Sequence, residues 1–259
     1  DDGSRDNTRQ VVEQWLREPL DFEVRYVYKE NGGLHTAYNE AIARIDTELC
    51  VCIDSDDFMP DDAVEKILAF WEAHGSDEYA GIVGLDFYLD GKVIGDPLPE
   101  QKTVNLIDLH TGKYPIVNGD RTNLVRTELY RKYAPMKVFP GEKNFNPHYL
   151  VLKLCRDYKF LVFNKPLCVV NYQPDGMSAN TFRQYLNSPN SFAQYRKVIM
   201  ENPNTSFLYL IKTTIHYVSS SILSKNKDFI RESPRKLLTV LMIPFGLLLT
   251  VYVKQRASK

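Results

Sequence analysis

The chain is poor in the residues that build specialised architectures. Among its 259 residues, four cysteines (Cys50, Cys52, Cys155, Cys168) are too few and too scattered for a disulfide framework. They read instead as buried thiols of a protein kept in a reducing, cytoplasmic location. Thirteen glycines and 14 prolines exclude collagen-like and Pro/Gly-rich disordered classes. There is no internal repeat and no low-complexity tract. No apolar run reaches the roughly 20 residues that a membrane-spanning helix needs, which excludes a polytopic membrane protein. Neither sign of charge dominates: 32 basic residues face 33 acidic ones, for a net charge of −1.

What is present is ordinary for a globular protein, with 44% hydrophobic and 25% charged residues. The length allows one large domain, or one domain with an appendage. The near-neutral total hides an asymmetry. Residues 225–259 hold eight basic residues against two acidic, a net of +6, which leaves −7 for residues 1–224. The acidic body carries no nucleic-acid footprint, and the basic tail suits an anionic lipid surface.

Residues 1–4 (DDGS) read as a strand-to-helix loop whose strand lies upstream of Asp1, with a helix following over 8–16. Residues 22–28 (FEVRYVY) alternate like a strand, and Asn31-Gly32-Gly33 forms the turn into a helix over 34–45. Residues 49–53 are a continuous apolar run that stops at Asp54-Ser55-Asp56-Asp57, the pattern of a buried strand ending in a polar loop. Pro60-Asp61-Asp62 then opens a helix. Strands are predicted over 79–88, 160–163 and 167–172, with helices over 147–158, 180–200 and 206–223. The alternation of strand and helix predicts an α/β domain with a mostly parallel sheet. In such sheets ligands gather at the carboxyl ends of the strands.

Asp54, Asp56 and Asp57 carry the strongest chemical signal. Three carboxylates within four residues repel one another, and a divalent cation or solvent must separate them. A hard cation such as Mg²⁺ or Mn²⁺ takes one or two carboxylates and fills its shell with water and phosphate oxygens. A solvated helix-capping loop explains the same residues equally well when they are taken alone.

Three blocks in order, Asp1-Asp2-Gly3-Ser4 with Asn7-Thr8, Asn31-Gly32-Gly33-Leu34 with Asn39, and Ile53-Asp54-Ser55-Asp56-Asp57, resemble family 2 glycosyltransferases of the GT-A fold. The resemblance covers about residues 1–175. It implies a Rossmann-like, mostly parallel sheet flanked by helices, here lacking its first strand and followed by a C-terminal helical extension. The implied division is 1–178 for the catalytic domain and 179–259 for the extension. The implied reaction is an inverting transfer from a UDP-sugar to a hydroxyl of a glycan or lipid-linked acceptor, with Mn²⁺ or Mg²⁺ on the diphosphate. Asp2, Asn31, Gly32, Asp54 and Asp56 would then bind the donor nucleotide, and Asp56 and Asp57 the metal.

Such a transfer needs one carboxylate to take the proton of the attacking hydroxyl. The family places it in a Gly-Glu-Asp type motif, matched here by Pro140-Gly141-Glu142-Lys143-Asn144-Phe145, with Lys143 where the second acid often stands. Glu142 is therefore the expected base; a surface Glu at a helix N-terminus is the plainer alternative. Asp120, in Asn118-Gly119-Asp120-Arg121, and His148 are candidates for the sugar and acceptor pocket. Asp175-Gly176-Met177-Ser178 resembles a loop closing over the diphosphate.

The uncharged run 237–253, 17 residues or roughly 25 Å of helix, falls short of the ~30 Å hydrocarbon core and is broken by Pro244 and Gly246. It predicts a segment lying in the membrane interface, which places the protein on the inner face of the cell membrane. Two other classes fit parts of the pattern. A haloacid dehalogenase type phosphatase also sets Asp-x-Asp after a buried strand, with the first Asp as nucleophile. A membrane-associated sugar- or nucleotide-binding module without turnover would explain Lys143.

Overall fold

The computed structural model describes every residue except 112, 115–118, 174–180 and 259. The predicted closing loop 175–178, Asn118 and the expected domain boundary near 176–180 fall outside the described residues.

A five-stranded mixed sheet forms the centre, with strand order β1-β4-β2-β5-β3. The strands are β1 (Leu49–Cys50), β2 (Tyr79–Tyr88), β3 (Thr103–Val104), β4 (Arg121–Arg126) and β5 (Lys159–Val170). Helices α1 (Thr8–Trp15) and α2 (Leu34–Arg44) precede the sheet, α3 (Ala63–His74) leads into β2, and α4 (Leu106–His110) follows β3. Helix α5 (Thr127–Tyr133) leaves β4 and α6 (His148–Leu154) leads into β5. The remainder is helical: α7 (Thr181–Asn187), α8 (Pro189–Glu201), α9 (Phe207–Leu223), α10 (Phe229–Glu232), α11 (Lys236–Leu241) and α12 (Ile243–Ala257).

Strand β2 is buried on both faces because its residues are apolar in continuous order, with Ala80, Ile82 and Val83 fully enclosed. One face packs Ile82, Leu124, Leu161 and Leu167 against Ala63 and Ile67 of α3. The other packs Val83, Leu85, Val125 and Phe160 against α6 and against Val198 and Ile199 of α8. Each such side chain contributes about 1.5–3 kcal/mol on leaving water. Helix α8 thus shares a core with the sheet.

The sheet is less parallel than the sequence pattern predicts. β2 and β5 run parallel from Tyr79↔Lys159 to Tyr88↔Val170, whereas β4 is antiparallel to both β1 and β2, and β3 to β5. Residues 22–28 form no strand. Among the described residues the backbone of this stretch pairs only with Asp1, through Asp1 N–H to the Val27 carbonyl (2.9 Å) and, just beyond it, Lys29 N–H to the Asp1 carbonyl (3.0 Å). A ladder requires a partner along its whole length, and a single residue does not supply one. The two strands predicted at 160–163 and 167–172 are one strand, β5. Pro166, opposite Leu85 where the register shifts, lacks the N–H for a regular ladder and marks an irregularity rather than an end.

This topology assembles the site. β2 and β5 end at one edge, and antiparallel β4 begins there, with Leu85 opposite Arg121. The loop 54–57 is tied to the same edge by Phe58, which bridges Val169, and by the Asn171 amide, which donates to Asp57 Oδ1 at 2.9 Å.

The predicted tail segment is bent into α11 and α12 at Met242. The buried side of α12 is Gly246, Thr250 and Val253. A Cβ at position 246 would overlap the Val218 side chain of α9, and Thr250 Oγ1 donates to Ser219 Oγ at 3.0 Å. Helix α12 exposes Phe245, Leu248, Val251 and Tyr252, and α11 exposes Leu241. Among the described residues no helix is long and apolar enough to cross a membrane.

Candidate functional site

A cleft of about 1020 Å³ opens at the carboxyl edge of β2 and β5. Asp54, Asp56, Asp57, Asp86 and Asp120 line it, together with His110, Arg121, Thr122, His148, Cys168 and Tyr172. Among the described residues no lysine, arginine or histidine forms an ion pair with Asp54, Asp56 or Asp57. Partial enclosure by the cleft walls, then the charges of Asp57 and Asp56, push the Asp54 carboxyl above its ordinary value. The arrangement is an uncompensated negative pole facing an open cavity.

Asp86 stands on β2, opposite Cys168 of β5, and is 5% exposed. Its Oδ1 accepts from Thr122 Oγ1 at 2.7 Å. Burial above all pushes its carboxyl up to about 6, with Thr122 pulling the other way. Asp120 lies at the rim and accepts from the Tyr172 hydroxyl. His148 and His110 meet edge to face, with ring centroids 5.8 Å apart. Burial and the neighbouring His110 hold the His148 imidazole down to about 3, so it is neutral, and its buried Nε2 has no hydrogen-bond partner among the described residues.

The other predicted residues sit outside this lining. Asp2 holds the first turn against the Asn31-Gly32-Gly33 turn. Its Oδ1 accepts from Lys29 Nζ (2.6 Å) and the Gly32 amide (2.9 Å), and its Oδ2 from the Gly33 amide (2.7 Å). Burial raises the Asp2 carboxyl, but the Lys29 hydrogen bond and the two amides outweigh it and leave it below its ordinary value. Asn31 donates to the Asp2 carbonyl (2.8 Å) and accepts from Lys143 Nζ (2.6 Å). Gly33, at φ 96°, lies where the Lys143 backbone would overlap any Cβ, so only glycine fits. Asn39 spends its amide on the Met136 backbone, at 2.7 and 2.9 Å.

Glu142, the expected base, is not brought into the cleft. It is 6% exposed, and its carboxylate receives four hydrogen bonds. Oε1 accepts from the Asn190 amide (2.9 Å) and Nδ2 (2.8 Å), Oε2 from the Ser191 amide (2.8 Å) and Oγ (2.7 Å). These are the first-turn amides of α8, which begins at Pro189 with no cap of its own. Glu142 supplies that cap from a distant loop, where the helix dipole favours a negative charge. A carboxylate offers about four lone-pair positions. All are filled in this structure, and Glu142 lies outside the residues that line the cleft.

Asp86 and Thr122 were not singled out by motif. Their signal was present nonetheless: Asp86 is the one charge in the otherwise apolar run IVGLDF, and a carboxylate in a doubly buried strand needs a reason.

The comparisons agree with this geometry. The sequence model of the family described as Glycosyl transferase family 2 matches residues 1–144. A search of curated proteins finds no match. Among solved structures, S. aureus TarS 1-349 in complex with UDP-GlcNAc superposes with a TM-score of 0.53 at 17% identity, covering 93% of this chain and 68% of that one. TarS 1-349 in complex with UDP gives a TM-score of 0.55 at 17% identity, covering 99% and 77%. These likenesses show a shared GT-A-like fold. The family match spans more than half of the chain, which sets the phosphatase alternative aside: the chain belongs to glycosyltransferase family 2.

Proposed function

We propose that the protein transfers a sugar from a UDP-sugar to a hydroxyl of a glycan or lipid-linked acceptor, with inversion at the anomeric carbon and with the help of Mn²⁺ or Mg²⁺. The observation that carries this reading is the uncompensated Asp54-Asp56-Asp57 loop at the carboxyl edge of the sheet, in a chain of this family. The TarS structures with UDP and UDP-GlcNAc support the class of donor.

The residues fit a hard cation of the shared kind. Asp56 and Asp57 offer carboxylate oxygens, and Asp54 adds charge behind them. Among the described residues no three His, Cys, Asp or Glu side chains converge tightly enough to cage a metal by themselves. One or two carboxylates completed by water and a diphosphate is the usual Mg²⁺ arrangement. When bound, the cation would offset the charge that develops on the departing UDP. Asp56 also suits the ribose hydroxyls. The turn built by Asp2, Asn31 and Gly32 holds the backbone against which the base of the nucleotide rests. Asp120 and neutral His148 offer an acceptor and a hydrogen-bonding nitrogen to sugar hydroxyls.

The tail supplies the acceptor's surroundings. The apolar side of α12 (Phe245, Leu248, Val251) is exposed, and the sequence from Ser233 onward contains basic but no acidic residues. That combination suits an anionic membrane surface, with the helix lying in the interface. The protein then works on the inner face of the cell membrane.

Calorimetric titration of UDP into the chain, with and without Mn²⁺, tests the donor reading. Binding that requires Mn²⁺ is expected. Absence of binding in both conditions would refute it, and release of free phosphate from UDP would revive the phosphatase.

A further inference from the structure

With all four Glu142 positions filled, the cleft needs another group to receive the acceptor proton, and the geometry supplies one. Asp86 is nine-tenths buried yet lines the cleft. Its neighbours on β2 are apolar, and Thr122 is its one side-chain hydrogen-bond partner among the described residues, on Oδ1. The Thr122 backbone also hydrogen-bonds the carboxylate. Cys168 stands across from it on β5, with Asp54 and Asp57 within electrostatic reach of the same thiol. Arg121, Asp120 and Tyr172 also lie within electrostatic reach of Asp86. Asp86 therefore lines the same cleft as the acidic loop that would hold the diphosphate and the rim residues that would hold the acceptor.

We propose that Asp86 is the proton acceptor of the transfer, an inference that rests on the glycosyltransferase reading above. The acceptor oxygen forms its bond to the anomeric carbon while its proton passes to the Asp86 carboxylate. The bond from that carbon to the β-phosphate oxygen breaks, and its electron pair leaves with UDP. Thr122 is a positioning residue: its hydroxyl fixes the carboxyl plane. Burial of Asp86 raises its proton affinity toward neutrality, where a general base works best. The like charge of Asp120 adds to that effect and the Arg121 cation opposes it, while Cys168 and Tyr172 are neutral neighbours at pH 7.

The test measures release of UDP from UDP-GlcNAc and UDP-glucose with Mn²⁺, water serving as acceptor, between pH 5 and 8. The full chain is compared with Asp86→Asn, Asp86→Glu and Thr122→Val, and UDP binding is titrated in parallel. Asp86→Asn is expected to lower kcat by at least about 100-fold, with KM for donor and UDP affinity within about threefold. Asp86→Glu should retain a rate within about tenfold, and Thr122→Val should move the acid limb of the pH profile upward. An Asp86→Asn protein with the parent rate and pH profile would overturn the proposal. So would a parent chain that binds UDP with Mn²⁺ but releases none from either donor, because a poised base beside a filled donor site activates water. Loss of Mn²⁺-dependent UDP binding in the parent chain would instead overturn the donor site itself, and the proposal with it.

Discussion

Asp2 and Glu142 are carboxylates surrounded by donors, whereas Asp54, Asp56 and Asp86 have few or none, although all five belong to the family-matched segment. The contrast separates two uses of the same functional group. A carboxylate supplied with three or four donors joins elements of the fold: Asp2 joins the first turn to residues 31–33, and Glu142 joins the 140s loop to α8. One that faces a cavity without donors destabilises the fold unless a cation, a substrate or a proton completes it.

The sharpest break of this comparison is to remove the acidic loop. Asp56→Ala with Asp57→Ala should weaken Mn²⁺-dependent UDP binding by more than about 100-fold in calorimetry, while thermal stability changes little, because relief of like-charge repulsion offsets loss of the Asn171 hydrogen bond to Asp57. Glu142→Ala should do the opposite. It leaves the Asn190 and Ser191 donors buried and unpaired, at a cost of on the order of 3 kcal/mol in urea unfolding, with UDP affinity retained in the folded fraction.

Asp86→Asn sharpens the contrast, since a poorly supplied carboxylate should be more stable when neutral. With a folded value of about 6 against 3.8, the ionised form costs up to roughly 3 kcal/mol above pH 6. The sign follows from the raised value: the associated stability is complete below pH 4 and is lost as pH rises through 6. The variant should therefore unfold at a higher temperature than the parent at pH 7.5, and at the same temperature near pH 4. Asp2 gives the smallest and opposite effect. Its folded value is depressed, so its contribution is present above about pH 4 and is lost as pH falls below that. Asp2→Asn should flatten the acid side of the stability profile by lowering stability modestly at pH 7, the variant and parent converging as the pH falls below that range.

Much of the fold was legible in the sequence. The apolar run 79–88 and the acidic loop at Asp54 announced a sheet with its site at one edge; 79–88 is strand β2, whereas the buried strand expected over 49–53 is only the half-buried, two-residue edge strand Leu49–Cys50. What local pattern could not give was pairing. Residues 22–28 alternate correctly yet their backbone has one partner residue among those described, and β4 enters antiparallel, which no periodicity reports. The site divides the same way. The acidic loop is local and was visible, whereas the occupation of Glu142 depends on Asn190 and Ser191, nearly 50 residues away in the chain. Thr122 reaches Asp86 only because β4 pairs with β2 in that register. The single helix expected over 180–200 is two, α7 and α8, with Pro189 at the first position of the second.

The most direct measurement is the titration of UDP with Mn²⁺ into the Asp56→Ala, Asp57→Ala double variant and into Glu142→Gln, side by side at a temperature where both are folded. Loss of binding in the first and an affinity within about threefold of the parent in the second would confirm that the unsupplied carboxylates hold the donor and the supplied ones hold the fold. Binding that survives in the double variant, or disappears in folded Glu142→Gln, would contradict it.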